Sequence, residues 1–500
     1  MYCAYLMLLF CASSLDATIP ESTVQEEVES RPPNIILILA DDLGYRELGC
    51  YGQEKIKTPN LDQLAADGMK FTQHYSGAPV CASSRCVLMT GLHCGHSLVR
   101  NNWENGGWGE DEPEGQYPLP GGTITMARML QDTGYATGVF GKWGLGGPGT
   151  SGAPEHQGFN TSVTVLCQRK AHNFYPTHLW KNGEKMLLAG NQWFKAHQKI
   201  DKPLPEDEDY YDRYLGQTYS PDVFLDEALD FIDENSKKPF FLYYPSPIPH
   251  VALQVPVEDL NQYPEEWDDK PYLGVGGGYL PHPRPRAAYA AMITHLDKEV
   301  GAILDRLEQH GLSDNTLVMF TSDNGTTYAG GVDHQFFAST EGLSGLKGSV
   351  LEGGIRVPLI ARWPGKIAKG SSSDFPSSFP DMMPTAAELA GIPFDLPIDG
   401  ESLIPMMTTG SNPQRTHDLY WEHGDQQALR HGDWKLVRRR LGKKNQETRL
   451  FNLATDAGEK KDLSEERPEI LQMMMKRAVS SRFPSPIFPN KALDSLHDQQ

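Results

Sequence analysis

The chain has 500 residues, 39% hydrophobic and 22% charged, a balance that belongs to a soluble globular protein and excludes disorder on a large scale. Its 65 acidic residues outnumber 45 basic ones, for a formal charge of −20. That excludes nucleic acid as a routine partner, because a phosphate backbone demands a basic face, but it leaves room for an anionic substrate in a locally positive cleft.

The N-terminus, MYCAYLMLLFCASSLDATIPES, carries an apolar run from Tyr5 to Ala12 followed by Ser13 and Ser14. This is the pattern of a secretory leader cleaved near Ala17, although the basic n-region is missing. Residues 1–17 are therefore expected to be a signal peptide, and the protein to be exported, periplasmic or secreted. No later run reaches the roughly 18 apolar residues of a membrane span. Cys3 and Cys11 fall in the leader, leaving Cys50, Cys81, Cys86, Cys94 and Cys167. The odd number points to one thiol with a separate task, at a density too low for a disulfide scaffold.

Residues 18–33 read as a polar tether. NIILILA, Asn34 to Ala40, is a continuous apolar run, as expected for a strand buried on both faces. Asn60 is placed as an N-cap before Leu61, Leu64 and Ala65 on one helical face, with Gly68 ending the turn. Thr123 to Gly134 repeats that pattern, and Tyr135 to Phe140 is a short strand. Ser220-Pro221 opens a helix running to about Asn235. PFFLYY (239–244), NTLVMFT (315–321) and Val357 to Trp363 are further strands, and 285–310 is a long amphipathic helix ended by Gly311. Strands alternating with helices predict an α/β fold, a large, mostly parallel mixed sheet sandwiched by helices. The stretch 145–215 reads as loop-rich. Composition changes near residue 410, after which DLYWEH, QALRHGDWKLVRRR and TRLFNLA read as antiparallel strands with a helix at 466–479. The expected organisation is a main domain over 31–410 and a small C-terminal α+β domain over 415–490.

In an open α/β sheet, ligands bind beyond the carboxyl ends of the strands. Asp41 and Asp42 follow the first strand, Lys142 the strand at 135–140, His250 the PFFLYY strand, and Asp323 and Asn324 the NTLVMFT strand. The aspartates and Asn324 offer only oxygen ligands, which suits a hard cation such as calcium or magnesium. One Asp pair alone is commonly a cap or turn. Two pairs directly after buried strands point to a cation, because unpaired carboxylates would repel one another. In GAPVCASSRCVLMTGL (77–92), Cys81 precedes a helix expected to begin near Ser83, so it sits by N–H groups that favour negative charge.

Cys81-Ala82-Ser83-Ser84-Arg85 resembles the sulfatase signature Cys-x-Pro-Ser-Arg, followed by Leu88, Met89, Thr90 and Gly91 at the family's Leu-x-Thr-Gly. DDLGY (41–45), TPNLDQLA (58–65), GKWGLG (141–146), TSDNG (321–325) and GLKGSVLEGGIRVPLI (345–360) are also similar to arylsulfatases, over about 31–480. The resemblance implies a sulfuric ester hydrolase of the alkaline phosphatase superfamily. In it Cys81 is converted to formylglycine, whose hydrated gem-diol is the nucleophile. It implies Asp41, Asp42, Cys81, Asp323 and Asn324 as calcium ligands, and Arg85 as support for the gem-diol and the carboxylates. Lys142 and Lys347 would hold sulfate oxygens, and His250 would bind sulfate or protonate the leaving oxygen. The implied partners are a formylglycine-generating maturation enzyme and a sulfated carbohydrate.

Two departures stand out: Ser83 replaces the commonest signature's proline, and Gly144 stands where many relatives carry a histidine, with His172 or His96 as possible replacements. Gln168, Arg169, His172, Tyr175, His178 and Trp180 are a candidate sugar-binding surface, or a loop packed by its own aromatics. Rival readings are a phosphodiesterase or phosphonate hydrolase of the same superfamily, and an inactive glycan-binding relative left unmatured because of Ser83.

Overall fold

A strand buried on both faces needs apolar neighbours above and below, and Asn34–Ala40 (β1) has them: all seven residues are buried. The structure, a computed structural model, describes residues 1 and 31–497 except 105, 107, 108, 110, 111, 113, 195–210, 275–277, 394 and 412. Apart from Met1, the expected leader at 1–17 lies outside the described residues.

β1 lies within a ten-stranded sheet. The other strands are β2 (Met69–Phe71), β3 (Ala136–Lys142), β4 (Thr161–Val165), β5 (His178–Lys181), β6 (Glu184–Leu187), β7 (Phe240–Pro245), β8 (Thr316–Ser322), β9 (Leu359–Arg362) and β10 (Ser371–Ser373). The spatial order is β10-β2-β9-β8-β1-β7-β3-β4-β5-β6. The block β8-β1-β7-β3-β4 is parallel throughout, while β9, β5 and β6 pair antiparallel to their neighbours. Register sets Leu39 opposite Pro245 and Ala40 opposite Ser322, so the residues that follow β1, β7 and β8 emerge at one edge.

Alternation along β1 divides the interior in two. Ile35, Leu37 and Leu39 pack with α2 (Cys81–Thr90), α3 (Met126–Asp132) and α6 (Met382–Leu389). Ile36, Ile38 and Ala40 pack with α1 (Pro59–Ala66), α4 (Ser220–Asn235) and α5 (Pro285–Gln309). Each side chain so buried contributes about 1.5–3 kcal/mol, which fixes the position of the strand and hence of its carboxyl end.

Four differences from the sequence reading have physical reasons. Thr58, not Asn60, is the N-cap of α1; Asp297 on α5 instead accepts from the backbone N–H groups of Asn60 and Leu61, a cap delivered from a distant helix. α2 begins at Cys81 rather than near Ser83, because Asn102 Oδ1 accepts from Ala82 N–H and so stabilises a start that lacks a local cap. The stretch 145–215 contains β4, β5 and β6; the last two are short, and β6 is largely exposed, so neither shows an apolar period. All five described cysteines are free, so their odd number does not reflect pairing of the others.

After residue 410 a second sheet runs β11 (Leu419–His423), β12 (Gln426–His431), β13 (Trp434–Arg439) and β14 (Glu447–Asn452), antiparallel and in sequence order. One face carries Tyr420, Leu429, Leu436 and Leu450 toward Met474 and Ala478 of α7 (Pro468–Ser480). The other face, with Leu419, Trp421, Ala428, Val437 and Phe451, packs on Tyr75, Val350 and Ile355 behind the loop that bears Lys347. A buried ion triad sits in that contact: Lys435 Nζ donates to Glu352 at 2.8 Å and pairs with Glu459 Oε1 at 2.9 Å, all three side chains fully inaccessible.

Candidate active site

The carboxyl edge of the parallel strands and the segments beside it bring together Asp41, Asp42, Cys81, Arg85, Lys142, His250, Asp323, Asn324 and Lys347. Asp41 and Asp42 follow β1, and Asp323 and Asn324 follow β8, laced by Asp323 N–H to Ala40 O (3.0 Å), Asp42 N–H to Asp323 Oδ1 (3.1 Å) and Leu43 N–H to Ser322 Oγ (2.9 Å). Asp42 adopts φ +67°, a left-handed conformation of the kind that a strained site holds by surrounding bonds. Cys81, the first residue of α2, places Sγ 3.4 Å from Asp41 Oδ1 and 3.9 Å from Asp42 Oδ1.

Each aspartate meets a cation. Lys142 Nζ donates to Asp41 at 2.5 Å and Lys347 Nζ to Asp42 at 2.7 Å. Arg85, fully buried one turn after Cys81, donates from Nε (3.1 Å) and Nη2 (2.8 Å) to Asp323 and from Nη1 to the Lys142 carbonyl (2.6 Å). Mutual repulsion of the carboxylates, the sequence argument for a metal, is therefore offset by three side-chain cations. Burial, then the neighbouring Asp41, still pushes the Asp323 carboxyl up to about 7. Burial would raise Asp41 too, but the charges of Lys142, Arg85 and Lys347 together hold it well below the usual carboxylate range.

The fit to a hard cation rests on other observations. Asn324 Nδ2 donates to Asp42 at 2.7 Å, while Asn324 Oδ1 is buried without a partner among the described residues. Asp41, Asp42, Cys81 and His250 each present a ligand atom, all within 4.8 Å of one another. A buried amide oxygen beside carboxylates is an oxygen donor set that suits calcium or magnesium.

His250 Nδ1 lies 2.5 Å from the Val251 carbonyl and its Nε2 lies 3.0 Å from Lys347 Nζ. Burial, then Lys347, pushes its pKa down to about 3, so the ring is neutral: Nδ1–H donates to the carbonyl and Nε2 accepts from the ammonium. Burial pulls on Lys347 as well, yet Asp42 and its other anionic neighbours keep that ammonium charged. Burial, then Asp41, raises the Cys81 thiol far above its ordinary value, so an unmodified cysteine here is a poor nucleophile.

Of the two histidines considered as replacements at Gly144, the structure brings one to the site. His172 stacks on His250 with ring centroids 3.9 Å apart. His96 lies elsewhere, bonded through Nδ1 to Asp399 (2.9 Å) and stacked between His93 and Phe483. The space above Gly144 is filled by Gln168, whose Nε2 lies 1.8 Å from where a Cβ would stand; nothing in the sequence spacing couples 144 to 168. Ser83 is an ordinary buried serine whose hydroxyl donates to the Val80 carbonyl at 3.2 Å.

Four residues of the candidate sugar surface are engaged by other parts of the protein. Tyr175 is buried against Tyr219, Trp180 Nε1 donates to Glu114 (2.9 Å), His178 lies 3.6 Å from the same carboxylate, and Arg169 pairs with Glu104. An opening does exist at Lys347: a cleft of about 630 Å³ lined also by Tyr328, His334, Gln426, Arg439 and Lys460, with no carboxylate in its wall among the described residues.

Comparison with known proteins agrees with this geometry. Residues 33–392 match the family model described as Sulfatase, and residues 346–482 match the model described as N-sulphoglucosamine sulphohydrolase, C-terminal. The chain is 34% identical to Arylsulfatase A of Homo sapiens over 424 residues, 81% of this chain and 75% of that protein. It is 31% identical to N-acetylgalactosamine-6-sulfatase of Canis lupus familiaris, over 79% of this chain and 69% of that protein. Among solved structures, Ps i-CgsB superposes with a TM-score of 0.71 at 28% identity, covering 89% of this chain and 92% of that one; another structure of the same protein holds k-i-k-neocarrahexaose. A phosphonate monoester hydrolase of Agrobacterium radiobacter shares the fold at 20% identity, with a TM-score of 0.63 over 90% of this chain and 95% of that one.

Proposed function

The chain belongs to the sulfatase family, whose members hydrolyse sulfuric esters, and we propose that it does so on a sulfated carbohydrate with a formylglycine at position 81 and one calcium ion. The observation that carries the reading is convergence: nine residues from separate stretches meet so that Cys81 Sγ lies 3.4 Å from Asp41, with two lysines and a histidine alongside.

Asp41, Asp42, Asp323, Asn324 and the side chain at 81 would hold the calcium ion, which when bound supplies positive charge to the sulfate and to the nucleophile. A formylglycine at 81, once hydrated, would offer one hydroxyl as nucleophile and a second for release of the sulfate. The chain's own groups do the rest. Arg85 fixes Asp323 by two N–H donors to its Oδ2 and ties it to the strand end that carries Lys142. Lys142 and Lys347 reach the site from opposite sides and offer N–H donors to sulfate oxygens, where negative charge grows. His250 lies within 3.0 Å of Lys347, placed to bind sulfate or, once protonated, to return a proton to the leaving alcohol oxygen. Burial of Asp41, Asp42, Arg85, Lys142, His250, Asp323 and Asn324 excludes water that would weaken each contact, while Lys347 keeps an edge toward the cleft.

Carbohydrate as substrate is supported by the names of the relatives and by the cleft at Lys347. Arg439, Lys460 and Lys347 give that cleft a cationic lining on a chain whose net charge is −20, and Tyr328, 67% exposed, offers an aromatic face to a sugar ring. Export, by a leader at 1–17, would bring the enzyme to extracellular polysaccharide, and a formylglycine-generating enzyme able to read Ser83 is the implied maturation partner.

The test joins mass spectrometry of the Cys81 peptide from exported protein to sulfate release from a panel of glycans and an aryl sulfate. Conversion at Cys81, with sulfate release that falls on chelation and returns with calcium, is the expected result. Preferential turnover of an aryl phosphate would favour the phosphonate hydrolase reading. An unmodified thiol with no sulfate release from any ester would leave only the inactive glycan-binding relative.

A further inference from the structure

Gln168 is a buried amide without a bonding partner. Its residue is 3% exposed, and neither Oε1 nor Nε2 meets a hydrogen-bonding group among the described residues. Only its backbone N–H is engaged, donating to Gln116 Oε1 at 2.9 Å. Leaving both halves of an amide dry is unfavourable, and folded proteins retain such a group chiefly where function uses it.

Its surroundings say which function. Gly144 follows Lys142 by two residues, and its N–H donates to the Leu166 carbonyl, which stitches the segment around Gln168 to the end of β3. The Gln168 amide then lies directly on Gly144, in space that any side chain at 144 would claim. Four residues further on, His172 stacks on His250. The stretch 166–172 thus runs from the Lys142 side of the site to the His250 side, with an unused amide between.

We infer that Gln168 is a substrate-contacting residue of this site, its N–H group donating to a sulfate oxygen and its carbonyl accepting from a hydroxyl of the substrate or the nucleophile. The inference rests on the sulfate-ester reading above. A neutral amide suits the position: sulfate stays ionised and needs donors, and glutamine supplies them at any working pH without titrating.

Gln168→Met keeps length and volume while removing both hydrogen-bonding groups. The expected result is a melting temperature equal to or above the parent's, with kcat/KM for an aryl sulfate down about 10- to 100-fold, the loss of one or two hydrogen bonds to a charged group. Inorganic sulfate should raise the melting temperature of the parent and not of the variant. Parent-like turnover with a lowered melting temperature would mark Gln168 as packing and overturn the inference. If the parent releases no sulfate from any ester, the sulfate-induced shift decides alone: a shift lost in the variant keeps the contact, an equal shift removes it, and no shift in the parent overturns both readings.

Discussion

Gly144→Ala isolates the contact between two segments that the sequence does not connect. Gly144 has φ +81° and Gly149, five residues on, has φ +67°. In the left-handed region either alanine costs about 1–2 kcal/mol of backbone energy. Their surroundings differ: a Cβ at Gly149 meets nothing within 4 Å, whereas at Gly144 it meets Gln168 Nε2 at 1.8 Å and Cδ at 2.8 Å. Overpacking of that kind adds about 1–3 kcal/mol, so Gly144→Ala should lose about 2–5 kcal/mol against about 1–2 for the Gly149 control. The obstructing atoms are the far end of a flexible side chain. Part of the strain will therefore be relieved by turning Gln168 away, and kcat/KM should fall in Gly144→Ala but not in Gly149→Ala. Urea unfolding and aryl sulfate turnover measure the two effects, and Gly144→Ala/Gln168→Ala should recover the steric part of the lost stability. Equal losses in the two glycine variants, or no recovery in the double variant, would refute the reasoning.

Other outcomes follow from the buried charges. Arg85→Met removes the guanidinium that serves Asp323 and the Lys142 carbonyl, and should lose about 3–5 kcal/mol in urea unfolding together with nearly all turnover; a stable, active variant would contradict the pairing described. Lys435→Met should lose a similar amount, about 3–5 kcal/mol, by stranding Glu352 and Glu459. Because burial already pushes Glu459 up to about 7 against the pull of Lys435, adding Glu459→Gln should recover part of the loss; if it worsens it, the triad is misread. His295 is opposed by burial but raised to about 10 by Asp222 and Asp259, and its neighbour Glu299 is raised to about 8 by burial. Both folded values lie above the ordinary ones, so the stability they contribute is full below the unfolded values and is lost as pH rises through about 8 and then 10. The melting temperature should fall between about pH 6.5 and 10, less steeply in His295→Gln; a flat parent profile would remove the linkage.

How much of this was legible in the sequence depended on whether the signal was local. NIILILA and NTLVMFT are unbroken apolar runs, and the carboxylates directly behind them emerge at one edge because β1 and β8 pair in register. The hairpins of the second sheet were readable for the same reason. Contacts made across the fold were not. The cap that Asp297 lends to α1 and the Asn102 carbonyl at the start of α2 join distant stretches, and no short-range pattern encodes them. β5 and β6 are too short and too polar to show a period. His172 and His96 were indistinguishable as histidines, and only tertiary placement separates the ring stacked on His250 from the one bonded to Asp399. The charges of the site were all visible, but their mutual neutralisation was not, because Lys347 reaches Asp42 across 305 positions of chain.

The Glu352–Lys435–Glu459 triad bears on how the polypeptide can be cut. Glu352 lies five residues beyond Lys347, and its backbone N–H donates to Glu459 at 2.7 Å, so the peptide leading to the Lys347 ammonium is moored from behind by the last hundred residues. A shortened protein stopping near 410 would uncover Tyr75, Val350 and Ile355, which the second sheet packs against, and would leave Glu352 without its lysine, held only by Tyr75 and Arg356. The change in composition at that point is thus a seam in the writing of the chain, and the part that carries the candidate site residues is not expected to stand without the part that carries none of them.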